Sequence, residues 1–247
     1  MSSMRDKFVN LLIRQIGVKE NPLGSNKTKF GNWFDSTLCA WQYFNTKKNG
    51  SAGWCAILQI WAVAQNEILG IAESKKFLGL PAPKKNTAAG CPQFCNFLTQ
   101  KGYRLSDKTK GIKGDIIFFN TKDSKGKTIV CGHVGSIKKE DSKYYYTIEG
   151  NKNNRVGEGK YAKNSSAIYC VCHLPWEKYD PVIPELPADF KVYNLKEFLS
   201  LRADASNNAT KLGEVYNDAI VTVYEIKDGF GRVTPNMWLN MDYLKKI

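Results

Sequence analysis

Near residue 103 the spacing of apolar residues changes period, and that change constrains the fold more than any other feature of the chain. Upstream, Phe8, Leu11, Leu12 and Ile16 recur at helical spacing within residues 2–16. Asn21-Pro22 and Gly24-Ser25 break the chain, and Asn26 is placed to cap a short helix running through Phe34. Residues 36–53 read as a loop. Cys55 to Leu69 reads as the strongest helix, with Ile57, Ile60, Trp61 and Ala64 on its apolar face and Gly70 as its stop. Pro92 opens another helix that ends near Gly102. Downstream the pattern is β-type: Asp115 to Phe119, Ile129 to Lys138, Tyr144 to Glu149 and Ala167 to His173 are rich in β-branched and aromatic residues, with turn residues between them. Helices first and strands later predict an α+β domain, with N-terminal helices packed on one antiparallel sheet.

Pro175, Pro181, Pro184 and Pro187 crowd one short segment, which reads as a semi-rigid linker. It divides the 247 residues into an expected larger domain, 1–174, a linker, 175–188, and a small domain, 189–247. Short β-type runs fill the last part: Phe198 to Leu201, Ile220 to Ile226, Phe230 to Val233 and Met237 to Leu239. About 60 residues of that kind suit a small all-β barrel.

Charge is distributed unevenly. The whole chain carries +13, and residues 188–247 hold eight basic and eight acidic side chains, so the entire excess lies upstream. Such a field favours polyanions, either nucleic acid or an anionic polymer coat. No nucleic-acid motif accompanies it, and the basic residues are not interleaved with aromatics on one element. The longest apolar run, Ala56 to Ala64, is broken by Gln59 and too short to span a bilayer, so no membrane insertion is expected. Met1 to Asn10 lacks an apolar core with a cleavage site, so no secretory signal is read there.

With no signal, the seven cysteines are expected to be reduced, and six of them to serve as small buried hydrophobes. Neither Cys91 with Cys95 nor Cys170, Cys172 and His173 has zinc spacing with a matching second half, so no metal is expected. Cys55 differs. It stands where a loop ends and an apolar helix begins, in Gly53-Trp54-Cys55-Ala56. The first-turn N–H groups and the helix dipole favour a thiolate there. A thiol nucleophile needs a base, and the chain has two histidines. His133, in Cys131-Gly132-His133-Val134-Gly135, is cleared by flanking glycines; His173 ends a strand and is not. A base needs an orienting acceptor, and Glu149 closes the next β-type run, where a carboxylate is costly unless paired.

Taken in order, Glu20-Asn21-Pro22 with Ser25-Asn26, Trp54-Cys55-Ala56, Gly114-Asp115-Ile116-Ile117, Gly132-His133-Val134-Gly135 and Glu149-Gly150-Asn151 resemble the CHAP family over about residues 15–173. The family comprises papain-like peptidoglycan amidases and endopeptidases. The resemblance implies Cys55 as nucleophile, His133 as base, Glu149 as its orienting group and Asn151 as an assisting residue, with Gly114-Asp115 as a turn motif. Some phage members carry a calcium loop before the cysteine, but Lys47-Lys48-Asn49-Gly50-Ser51-Ala52 has no carboxylate, so neither calcium nor any other cofactor is expected. Trp54-Cys55-Ala56-Ile57 also departs from the Asp-Cys-Ser-Gly of the related NlpC-type peptidases.

The C-terminal part resembles the bacterial SH3 (SH3b) wall-binding module through Leu199-Ser200-Leu201-Arg202-Ala203, Leu212-Gly213-Glu214, Val221-Thr222-Val223, Trp238-Leu239 and Tyr243-Leu244, with Met237 in place of a glycine. It implies a ligand groove lined by Tyr224, Phe230, Trp238 and Tyr243, although aromatics in so small a barrel serve the core at least as often. The combination resembles a phage endolysin. It would be held in the host cytoplasm without a signal peptide, be released through holin-made membrane holes, and act on the peptidoglycan of a Gram-positive host, with anionic wall polymers as further partners. The primary expectation is an N-acetylmuramoyl-L-alanine amidase. A peptidoglycan endopeptidase and a non-catalytic wall-binding protein are the alternatives.

Overall fold

A computed structural model of the protein describes residues 3–38, 53–80, 90–180 and 185–247. Most of the expected 36–53 loop, the carboxylate-free stretch Lys47 to Ala52, Cys39, and Pro181 and Pro184 lie outside the described residues. The chain divides into two compact units, 4–178 and the segment that begins at Tyr179. Both are built from antiparallel sheets, and the first also carries helices, so the chain is α+β.

In the first unit, α1 (Met4–Ile13) buries Phe8, Val9, Leu11 and Leu12. α2 (Lys29–Leu38) starts later than expected. Thr28, not Asn26, caps it, with its Oγ1 accepting the Gly31 N–H at 3.1 Å. Asn26 adopts φ 57 in the preceding loop. α3 (Cys55–Val63) is buried at every position except Trp61. It is shorter than the expected Cys55 to Leu69. Residues after Ala64 form tight turns, and Gly70, at φ 68, begins α4 (Gly70–Leu78) instead of simply ending α3. α4 itself closes on left-handed Gly79. α5 (Cys91–Gln100) carries Pro92 in its first turn, as expected.

Five strands follow: β1 (Ile116–Lys122), β2 (Thr128–Glu140), β3 (Tyr144–Lys152), β4 (Arg155–Ala162) and β5 (Ile168–Cys172). Their order in the sheet is β4-β3-β2-β1-β5. α3 packs on β2 and β3, and α5 on β2 and β5. Successive side chains of β1 alternate: Phe118 meets Phe94 of α5, while Ile117 and Phe119 join a second cluster with Ile137, Tyr145, Ile168 and Val171. Buried Asp115, at the head of β1, pairs with Arg5 at 3.3 Å and with His173 at 3.0 Å, tying α1, β1 and the end of β5 together.

The expected linker start at 175 needs correction. Trp176 is fully buried, donates to Gly114 O at 3.0 Å and lies 4.7 Å from the Phe8 ring, so the first unit continues through Lys178. At the other end, Ala188 already belongs to β6.

The second unit is all-β. A five-stranded sheet runs β10-β11-β12-β7-β8 and a three-stranded sheet runs β13-β6-β9. The strands are β6 (Ala188–Val192), β7 (Leu199–Arg202), β8 (Lys211–Val215), β9 (Ile220–Val223), β10 (Glu225–Lys227), β11 (Phe230–Thr234), β12 (Met237–Asn240) and β13 (Leu244–Lys246). The single run expected over Ile220 to Ile226 breaks at Tyr224, where the chain passes from one sheet to the other. Phe190, Val192, Leu199, Val223, Leu239, Met241 and Leu244 form the core. Among the described residues no helix is long and apolar enough to cross a membrane.

Candidate active site

Cys55 is the first residue of α3, and no side chain caps that helix. Its N-terminal N–H groups are therefore left to whatever charge stands at the helix start. Trp54 is held next to it: its buried indole donates to Glu20 Oε1 at 2.8 Å, while Glu20 Oε2 accepts the Asn26 N–H at 2.9 Å. Buried Glu20 thus ties the loop before α2 to the residue preceding Cys55, a role that residue type and spacing do not reveal.

His133 lies on β2 beside a defect in the ladder. Phe119 faces His133 and Thr121 faces Ile129, so two steps along β1 span four along β2. Cys131 within that bulge takes φ 55. Bulges of this kind re-aim the adjacent side chain. On the other side of β2, Gly135 is directly opposite Glu149 of β3. A Cβ at Gly135 would come within 2.7 Å of Glu149 Cγ. The bare glycine lets the Glu149 side chain cross diagonally to His133, two residues along on the same face. Gly159 of β4 makes room on the far side, where a Cβ would collide with Glu149 Oε1.

The result is a bond of 2.9 Å between His133 Nε2 and Glu149 Oε2. Glu149 is only 1% exposed, yet its oxygens are satisfied: Lys152 Nζ donates at 3.0 Å, Tyr161 OH at 3.1 Å, and Thr147 also donates. Burial raises the Glu149 pKa, but His133, Thr147 and Lys152 outweigh it and hold the carboxyl at about 2. Burial likewise opposes charge on His133. Its hydrogen bonds to Cys55 and Glu149 prevail and lift the imidazole to about 9. With Nε2 committed to Glu149, Nδ1 is the nitrogen left for the thiol.

The Cys55 thiol is pulled well below its ordinary value. The Cys91 thiol beside it contributes most, burial opposes, and His133 and the Ala56 N–H add to the lowering. The two sulfurs are 3.2 Å apart. The two shifts run in the sense that favours a thiolate on Cys55 and an imidazolium on His133. Iodoacetamide labelling of Cys55, read by peptide mapping, stays fast at pH 6 in the wild type. In His133→Ala the Cys91 bond remains but the imidazole's share of the lowering is lost, so the pH at which labelling begins to fall moves upward. Coincident pH profiles in the two proteins would show that His133 does not hold the thiolate.

The structure thus brings Cys55, His133 and Glu149 together. Asn151 takes φ 53, its Nδ2 donates to Asn26 Oδ1 at 3.1 Å, and it lies beside Gly53, two residues before Cys55. His173 is engaged with Asp115 instead. Of the four aromatics considered for a groove in the second unit, Phe230 and Trp238 are buried in a cluster with Ala205. Tyr224 and Tyr243 are exposed. A cavity of about 730 Å³ lined by Thr109, Ile112, Lys143 and Lys163, among others, contains neither cysteine nor histidine. Among the described residues no cluster of histidine, cysteine and carboxylate side chains is arranged to hold a metal ion.

No family model matches the sequence, and no curated protein matches it. Two solved structures are similar at a TM-score of 0.38, each covering 98% of this chain and 97% of its own. One is described as "The crystal structure of Ly7917" and is 12% identical. The other, "The crystal structure of Ly7917 with the hydrolyzing product of MDP", is 9% identical. Likeness at that level does not define a common fold.

Proposed function

We propose that the protein is a thiol hydrolase that cuts amide bonds of bacterial peptidoglycan, with a CHAP-type first unit and an SH3b-type wall-binding second unit. The observation that carries the proposal is the Cys55–His133–Glu149 array: a thiol at a helix start, an imidazole beside it, and a buried carboxylate 2.9 Å from the far imidazole nitrogen. Nucleophile, base and orienting group stand in the order that acyl transfer requires.

Cys55 thiolate attacks the amide carbonyl, and the first-turn N–H groups of α3 receive the developing oxyanion. The His133 imidazolium gives its proton to the departing amine, leaving an acyl group on Cys55. His133, now neutral, takes a proton from water, and the hydroxide attacks the acyl carbon and releases Cys55 as thiolate. Glu149 keeps the imidazole oriented and compensates its charge through both steps. Peptidoglycan is favoured over a general peptide by the motif resemblance and by the +13 charge, which suits a wall coated with anionic polymers. Raising salt therefore slows wall lysis by the full chain; activity indifferent to salt would remove that support.

The bond we assign first is the one between muramic acid and L-alanine, with a peptide cross-link as the alternative. Mass spectrometry of digested Gram-positive walls separates them: free muramic lactyl carboxyls mark the amidase, and new amines within the peptide stem or bridge mark the endopeptidase. Absence of both would defeat the proposal. The endolysin assignment, with holin-dependent release from the host cytoplasm, rests on the motif resemblance alone.

A further inference from the structure

The first unit contains six described cysteines, all free and all buried. Only one of them touches the proposed nucleophile. Cys91 Sγ lies 3.2 Å from Cys55 Sγ, and each residue opens a helix, α5 and α3 respectively. A second pair, Cys95 and Cys170, is separated by 3.4 Å but has no imidazole partner among its hydrogen bonds. Cys131 Sγ donates to the Cys91 backbone carbonyl at 3.6 Å.

This geometry gives Cys91 two roles. As a thiol it donates to the Cys55 sulfur and so favours the thiolate that attacks substrate. As a sulfur it is already at the distance from which a disulfide closes, since the pair need move together by only about 1 Å to reach a bond length of about 2.05 Å. Cys55, whose thiolate form is favoured, meets an oxidant first. Cys91 keeps its proton chiefly through its bond to the Cys55 sulfur, and once Cys55 is oxidised that hold is gone and the Cys91 proton can leave.

We propose that Cys91 is the resolving thiol of a reversible disulfide with Cys55, a modification site at which a peroxide switches the enzyme off and a dithiol switches it on. The assignment of an off state rests on Cys55 being the catalytic nucleophile. In the first step the Cys55 thiolate attacks one oxygen of hydrogen peroxide, the O–O bond breaks, and the hydroxide released takes a proton to become water. Cys55 is then a sulfenic acid, oxidised by two electrons. In the second, Cys91 sulfur attacks Cys55 sulfur, the S–O bond breaks, and the Cys91 proton leaves with the hydroxide as water. A dithiol reverses the outcome by exchange, and its own two sulfurs become the disulfide. While the S–S bond stands, no thiolate faces His133, and Cys55 is protected from irreversible oxidation.

The test uses the full chain, treated with a small excess of hydrogen peroxide, blocked with iodoacetamide and digested without reductant. The expected result is a Cys55–Cys91 linked peptide that appears in step with a loss of wall lysis of at least about tenfold, with both reversed by dithiothreitol. In Cys91→Ser, compared with its own untreated level, peroxide inactivation is not recovered by dithiothreitol, and Cys55 is found as sulfinic acid. Cys55 oxidised but unlinked to Cys91 in the wild type, or linkage confined to Cys95 and Cys170, overturns the proposal. The wild-type map decides even if Cys91→Ser fails to fold. If the linked peptide forms but the reduced protein never digests wall, the thiol pair stands and the hydrolase assignment falls. If the reduced protein digests wall and no link forms, the reverse holds.

Discussion

Cys55→Ala abolishes wall lysis, by a factor of at least about 10³, and leaves the protein folded. The size of the effect follows from the chemistry, because no other described cysteine faces an imidazole and water has no comparable nucleophile at that point. Stability changes little for a physical reason. Removing one sulfur leaves a small cavity at the head of α3, costing on the order of 1 kcal/mol, and a unit of this size loses about 2–4 °C of melting temperature for that. The His133–Glu149 pair survives the substitution, since their 2.9 Å bond does not involve the thiol. His133→Ala gives a loss of the same order. The double variant is hardly worse than either single one, because the two groups act as one unit. Lysis by Cys55→Ala within tenfold of wild type, in protein shown to be folded, contradicts this assignment.

The second large effect belongs to Glu149, and it falls on stability as well as on activity. Glu149→Ala is expected to destabilise the first unit by about 3–5 kcal/mol, roughly 10 °C or more of melting temperature. The loss comes from the partners it strands: His133, half-buried Lys152 and the Tyr161 and Thr147 hydroxyls all point at its oxygens. Activity drops by about 10²-fold or more because the imidazole loses its orienting acceptor. Glu149→Gln separates charge from shape. It keeps a hydrogen-bonding group in the space above Gly135 but removes the anion. The pH dependence has a definite sign. The Glu149 carboxyl is held at about 2 in the folded chain, below its ordinary 4.5, so its contribution is fully present above about pH 4.5 and disappears as pH falls toward 2. The melting-temperature gap between wild type and Glu149→Gln is therefore wide at pH 7 and closes in acid. A gap that stays constant from pH 7 to pH 3 would mean that charge is not what Glu149 supplies.

The Cys55–His133–Glu149 arrangement was readable from the chain because its parts are local. A thiol at the start of an apolar helix, a histidine framed by glycines and a glutamate at the end of a β-type run each carry their own signature. A single pairing register then joins the last two: Gly135 opposite Glu149. α3 and strands β1, β2, β3 and β5 were legible for the same reason, since their apolar residues recur at one period. Edge and surface elements were not. β4, Arg-Val-Gly-Glu-Gly-Lys-Tyr-Ala, lies at a sheet edge with its one fully buried residue at Val156, and its glycines read as a turn. β6, β8 and β13 are short and charged, and their strand character comes from the neighbours they pair with. Trp176 follows a proline and looked like linker, because only the fold brings Phe8, Phe77 and Gly114 around it. The contacts of Cys91 and Glu20 were not legible for the same reason. Each reaches the nucleophile's neighbourhood across dozens of residues, and the position of Cys91 at a helix start beside Pro92 was the one local sign.

The most direct test counts the ends released from purified Gram-positive wall by wild type and Cys55→Ala, side by side. Wild type should generate free amines, with matching muramic lactyl or peptide carboxyls, and no reducing sugar ends, while Cys55→Ala releases nothing above the blank. Equal release by the two proteins, or reducing ends in place of amines, would contradict a Cys55-dependent amide cleavage.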